Sequence, residues 1–186
     1  MKLRKEIRIG LLILSVIGLF VSCNKEETPE ADPIIGTYIF SSAQFNEVVF
    51  ITIQGMEIEF AAGADASQFV GPSLLGAAPC DNPQNAAVEL RDGGTIFFVC
   101  LTEANEAQMG TWSINSGRTV LTINISNPQP FQLDISNLDI TSTTFSGTVT
   151  TFPLPKDTSL ALGAPLPGGG LNYQTASISA SFTRVP

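Results

Sequence analysis

Apolar and polar residues alternate along most of this chain with a period of two. Leu121, Ile123 and Ile125 alternate with Thr122, Asn124 and Ser126; Phe131, Leu133 and Ile135 alternate with Gln132, Asp134 and Ser136. Near the end, Ala176, Ile178, Ala180 and Phe182 alternate with Ser177, Ser179, Ser181 and Thr183. Successive side chains of a strand point to opposite faces, so each run predicts a strand with one apolar and one wetted face. Further strands are predicted at 34–42, 46–54, 56–61, 87–91, 94–101, 109–115 and 143–152. Asp92-Gly93-Gly94, Ser116-Gly117 and Asn127-Pro128 punctuate them with turn chemistry. About ten short antiparallel strands predict an all-β barrel or sandwich.

Three segments depart from the alternation. Thr95 to Leu101 is apolar on both faces: Ile96, Phe98 and Cys100 point one way, Phe97, Val99 and Leu101 the other. Such a strand needs a cover on its outer side. Residues 61–79, rich in Ala and Gly with Phe69, Val70, Leu74 and Leu75, precede it and are the candidate cover, a lid or partial plug. Residues 153–171 hold four prolines and four glycines, which excludes a regular helix or central strand, yet carry Leu154, Leu160, Leu162, Leu166 and Leu171. A long apolar loop of this kind either folds back on the domain or meets a partner.

The first 33 residues have a different grammar. Lys2, Arg4, Lys5 and Arg8 precede an uncharged apolar run from Ile9 to Val21, then Ser22 and Cys23. The run is short of the ~20 residues that span a bilayer. Its order, basic then apolar then small, is that of a secretory signal peptide over residues 1–22; the alternative is an amphipathic or buried first helix. Leu19-Phe20-Val21-Ser22-Cys23 resembles a bacterial lipobox, with Phe20 where an aliphatic residue is usual. The resemblance implies acylation of Cys23 and a membrane anchor, with residues 23–33 as an acidic tether and 34–186 as the folded domain. Asn24-Lys25-Glu26-Glu27 is either a solvated linker or the Lys-plus-acid tag of lipoproteins sent to the cell surface. The implied address is the outer membrane, facing the periplasm or the outside.

Loss of residues 1–22 removes four of nine basic residues and one of seventeen acidic ones, leaving five against sixteen, a net charge of −11. Phosphate backbones and anionic lipid surfaces both require basic patches, so neither nucleic acid nor a polybasic membrane contact fits. The two remaining cysteines, Cys80 and Cys100, form either a disulfide closing a loop of about 20 residues, as an oxidising compartment favours, or two free buried thiols. Their spacing suits neither a redox motif nor a metal site.

Candidate chemistry is sparse. The chain has no histidine, which removes the commonest general base and the usual zinc ligands. It has no nucleophile elbow and no phosphate loop; Gly168-Gly169-Gly170 is a flexible turn. Lys156, the domain's only lysine, sits in a Pro-Lys-Asp loop. Glu57 and Glu59 share a strand face and Glu103 and Glu106 share a loop, but neither pair has calcium-loop spacing. With one Trp and two Tyr there is no aromatic platform for sugars, and the twelve Phe fall mostly at core positions. No catalytic residue, metal or cofactor is expected.

Gly36-Thr37-Tyr38 and Gly110-Thr111-Trp112 repeat a short pattern that would mark equivalent strand starts. Between and after them come Cys80, Val88-Glu89-Leu90, the Asp92-Gly93-Gly94-Thr95 turn and Thr119-Val120-Leu121-Thr122-Ile123. This order over most of residues 34–150 resembles the lipocalin-like domains of small bacterial lipoproteins. The resemblance implies an antiparallel up-and-down barrel of about eight to ten strands with a site for one small hydrophobic ligand. It also implies that Arg184 of the closing strand packs over Tyr38, which stands where lipocalins have Trp, as a structural cation–π closure. Fold alone does not give function. A ligand carrier predicts small inward side chains. An envelope interaction protein predicts an interior filled with Phe and Leu. Strand 176–182 is mostly small and strand 95–101 bulky, so both readings stay open.

Overall fold

The computed structural model describes residues 32–126 and 130–186. The expected signal peptide, Cys23 and the Asn127-Pro128 turn lie outside the described residues. All the predicted strands form, but they divide into two sets. Eight close an antiparallel barrel: β1 (Gly36–Phe45), β4 (Ala86–Arg91), β5 (Thr95–Cys100), β6 (Glu106–Ile114), β7 (Val120–Ile125), β8 (Phe131–Ile140), β9 (Thr144–Leu154) and β10 (Gln174–Arg184). Each pairs with the next, and β10 returns to β1 with Tyr38 opposite Arg184 and Phe45 opposite Ile178. The other two, β2 (Val49–Ile53) and β3 (Met56–Phe60), make a separate hairpin. Gln54 and Gly55 turn it at φ 52° and 80°, the left-handed pair that a two-residue hairpin turn requires.

The alternation along each strand becomes inside and outside. Leu121, Ile123 and Ile125 are buried, as are Leu133, Ile135, Ile178 and Phe182. The polar partners form the outer wall, the reverse of a barrel that spans a bilayer. No helix among the described residues is long and apolar enough to cross a membrane.

Up-and-down order sorts the connections by length. At one end, here the floor, the connections are the tight turns 92–94, 115–119 and 141–143, and β1 starts and β10 finishes there. At the other end, the crown, sit the long segments 46–85 and 155–173 with the shorter 101–105. The first holds the β2–β3 hairpin, helix α1 (Ser67–Leu75) and a short 3-10 turn at Pro83–Asn85.

Three expectations need correction. Gly36 opens β1, but Gly110 lies within β6, so the repeated Gly-Thr-aromatic does not mark equivalent starts. A Cβ on Gly110 would stand 1.8 Å from the Asn124 carbonyl oxygen; the glycine is there because β7 passes close. Pro153 and Leu154 belong to β9, opposite Thr175 and Gln174, so the loop begins later than its prolines suggest. Proline is tolerated at this strand end. Finally, α1 does not cover the outer face of β5. It packs over the crown mouth against β1, β4 and β9. The outer face of β5 is covered instead by Arg91, whose guanidinium carbon lies 3.7 Å from the Phe97 ring centroid, while Leu101 stays exposed.

Candidate functional site

The floor is closed by a polar clasp over stacked aromatics. Arg184 donates through Nη2 to the carbonyls of Pro33 and Ile35 (2.9 Å for the latter) and to the Tyr38 hydroxyl at 2.7 Å; its Nε reaches the same hydroxyl at 3.2 Å. Tyr38 in turn donates to the Ile34 carbonyl at 2.9 Å. The guanidinium carbon sits 5.2 Å from the Tyr38 ring centroid, so Arg184 holds the hydroxyl edge of the ring as well as lying within reach of its face. Asp32 is tied to Arg118 by two 2.8 Å bonds. The Arg118 hydrogen bonds hold the Asp32 carboxyl below the ordinary carboxylate range. Residues 32–35 are thereby strapped across the floor, with Ile34 fully buried.

Above the floor the interior is packed. Tyr38 meets Phe145 edge-on at 4.8 Å, and Phe145 stacks on Phe182 at 4.5 Å. Small residues on β9 and β10 make room for large ones elsewhere. Ala180 pairs with Gly147, and a Cβ on Gly147 would stand 2.6 Å from Ile135, which uses that space. At the mouth, Val70 and Leu74 of α1 face the same interior. Among the described residues, the void that these side chains line holds about 20 Å³. That is room for roughly one water, whereas small-molecule sites run to about 300–1,000 Å³.

The crown is built by three fastenings. Cys80 and Cys100 are joined, with sulfurs 2.04 Å apart, and tie the segment after α1 to the end of β5. Ala66, Phe69 and Val70 are buried, and the Ser67 hydroxyl accepts from the Ala43 N–H at 2.9 Å. Asn172, the one fully buried polar residue described, organises the 155–171 loop. Its side chain accepts from the Asp157 N–H and donates to the carbonyls of Asp157, Leu160 and Ala161 at 2.9–3.2 Å. Nothing in the alternation singled it out, because its partners lie 11 to 15 residues away in a loop. Around these fastenings large apolar side chains face solvent: Val48, Phe50, Met56 and Ile58 from the hairpin, Leu160, Leu162, Leu171 and Tyr173 from the loop.

The carboxylates singled out from the sequence are not brought into one centre. Glu57 and Glu59 are exposed on the outer face of β3. Glu103 accepts from the Asp81 N–H and the Asn105 amide, and Glu106 pairs with Arg91. The Arg91 hydrogen bonds lower the Glu106 carboxyl, and those acceptors raise the guanidinium further. Glu89, Glu103 and Glu106 border a shallow outer groove of about 310 Å³ floored by Val99, Leu101 and Val185. Lys156 is exposed, and its carbonyl accepts from the Thr52 N–H. No group of three His, Cys, Asp or Glu among the described residues is arranged to hold a metal. No protein-family model, curated protein or solved structure matches the chain.

Proposed function

We propose that this chain is an exported lipoprotein, acylated at Cys23, whose barrel is a solid scaffold that presents its crown to another protein of the cell envelope. The observation that carries the reading is the filled interior. A lipocalin-like carrier of a small hydrophobic ligand, the other reading of the resemblance, would have to expel Val70, Leu74 or part of the Phe145–Phe182 stack from a 20 Å³ void before anything entered. The exposed apolar side chains are the second support. They gather on long crown connections, where binding residues commonly sit on a rigid scaffold, and not on the floor.

The proposed anchor supplies a direction. Residues 24–31 separate Cys23 from the clasp at Asp32, a reach on the order of 30 Å when extended. The tether would join the domain at the floor, the end opposite the crown. No nucleic acid, cofactor or enzymatic step enters this reading.

Native mass spectrometry of the protein, purified from its own host and stripped of its anchor, tests the scaffold role. The bare polypeptide mass is expected; a co-purifying small hydrophobe in stoichiometric amount would restore the carrier reading. Fractionation tests the anchor: wild type should partition with the outer membrane and Cys23→Ala should not.

A further inference from the structure

The β2–β3 hairpin has two backbone edges with different fates. Ile53 and Met56 flank a two-residue turn, so they form the hydrogen-bonded pair next to it, and bonded and non-bonded pairs then alternate. Phe50, Thr52, Glu57 and Glu59 therefore turn their N–H and C=O groups outward. On the β2 side these groups are used. Thr52 donates to the Lys156 carbonyl at 2.8 Å and accepts from the Thr158 N–H at 2.9 Å. The Phe50 carbonyl accepts from the Gln174 amide at 2.6 Å. On the β3 side, Glu57 and Glu59 have no backbone partner among the described residues.

The side chains of the same edge are unfinished in the same direction. Val49, Ile51, Met56 and Ile58 share the inner face of the hairpin. Val49 and Ile51 are buried, but Met56 is 63% exposed and Ile58 36%. The apolar layer thus runs one strand beyond the core that covers it. On the outer face, Glu57 and Glu59 line the edge with negative charge.

We propose that the free edge of β3 takes an extended segment of a partner protein as an added strand, with lysine or arginine alternating with Val, Ile or Leu; this rests on the docking role proposed above. Strand addition supplies main-chain bonds to the Glu57 and Glu59 groups, and alternate side chains supply the specificity. The partner's apolar positions cover Met56 and Ile58, and its basic positions lie beside Glu57 and Glu59. A second copy of this chain does not fit. Any register that joins the apolar faces of two β3 strands sets glutamate against glutamate, which is destabilising. The two glutamates therefore refuse self-pairing and select the partner by charge.

The test is amide hydrogen exchange on the purified protein with two capped eight-residue probes, one alternating lysine and valine, the other glutamate and valine. The lysine–valine probe should slow exchange at the Glu57 and Glu59 amides by about tenfold or more, and the glutamate–valine probe should not. The surface double variant Glu57→Lys/Glu59→Lys should reverse that preference. Glu59→Pro removes one outward N–H and leaves the β2 ladder intact, so it should abolish the slowing. The proposal is overturned if the lysine–valine probe protects only other acidic surface, if both probes protect equally, or if the double variant keeps the original preference. None of those results touches the scaffold reading, which fails separately on a co-purified hydrophobe.

Discussion

The two ends of this barrel are made from the same chain by opposite means. The floor uses tight turns, an aromatic stack and one arginine that gathers three acceptors. The crown uses long insertions held by a disulfide, a short helix and a buried asparagine, and it leaves large apolar side chains such as Phe50 and Met56 in water. The floor repeats what the barrel needs in order to close. The crown carries features that closure does not require, and those are the ones that demand a reason outside the fold.

Removing an aromatic from each end tests that division. Phe145→Ala, in the floor stack, should cost about 3–5 kcal/mol in denaturant unfolding, because the neighbours on β8 and β10 cannot collapse into the gap. Phe69→Ala, at the crown, deletes the same ring but should cost less. Its effect should appear as faster exchange within 56–75 while the barrel amides stay protected. Equal global losses would mean that the crown is part of the cooperative core. Replacing both Cys80 and Cys100 by Ser should lower stability by roughly 3 kcal/mol, read as a lower melting temperature that reductant no longer shifts. A change near zero would assign the crown's order to packing alone.

Asn172→Ala should cost about 2 kcal/mol, since it strands the Asp157 N–H and the Leu160 carbonyl. Proteolysis should then cut within 155–171 before any barrel strand. The smallest effect belongs to the floor strap. The folded Asp32 carboxyl titrates below its unfolded value because of Arg118, so its contribution is present above about pH 4 and lost as pH falls through the lower folded value. The pair is partly exposed, which limits it to less than about 1 kcal/mol. Protection of the Ile34 and Ile35 amides, relative to their intrinsic exchange, should fall as pH drops below about 4, and Asp32→Asn should erase that dependence.

The strands were legible because alternation is local: Leu121-Thr122-Ile123 declares its two faces whatever surrounds it. Their division into barrel and hairpin was not, because β2 and β3 show the same period and differ only in what meets their edges. Helix α1 was hidden by composition. Ser67–Leu75 contains Gly71 and Pro72 and no apolar stripe, and it is fixed by burial of Phe69 and Val70 and by the Ser67 contact to β1. Arg91 over Phe97 covers part of the outer face of β5 without a second layer, a contact made across the 92–94 turn that the apolar pattern alone did not reveal. The interior could not be read from single strands, since the small residues of β10 make sense only beside the bulk of Ile135 and Phe145.

The seam between β1 and β10 also sets an order of events. Residues 36–45 leave the ribosome, and on the proposed route cross the membrane, about 140 residues ahead of 174–184. Until the last strand arrives, one edge of β1 has no partner and the Arg184 clasp does not exist. Loop-closure entropy for so distant a contact must be met before any of its bonds form, which makes this the slow step expected of a high-contact-order barrel. The first strand of the barrel therefore keeps one open edge until the last arrives.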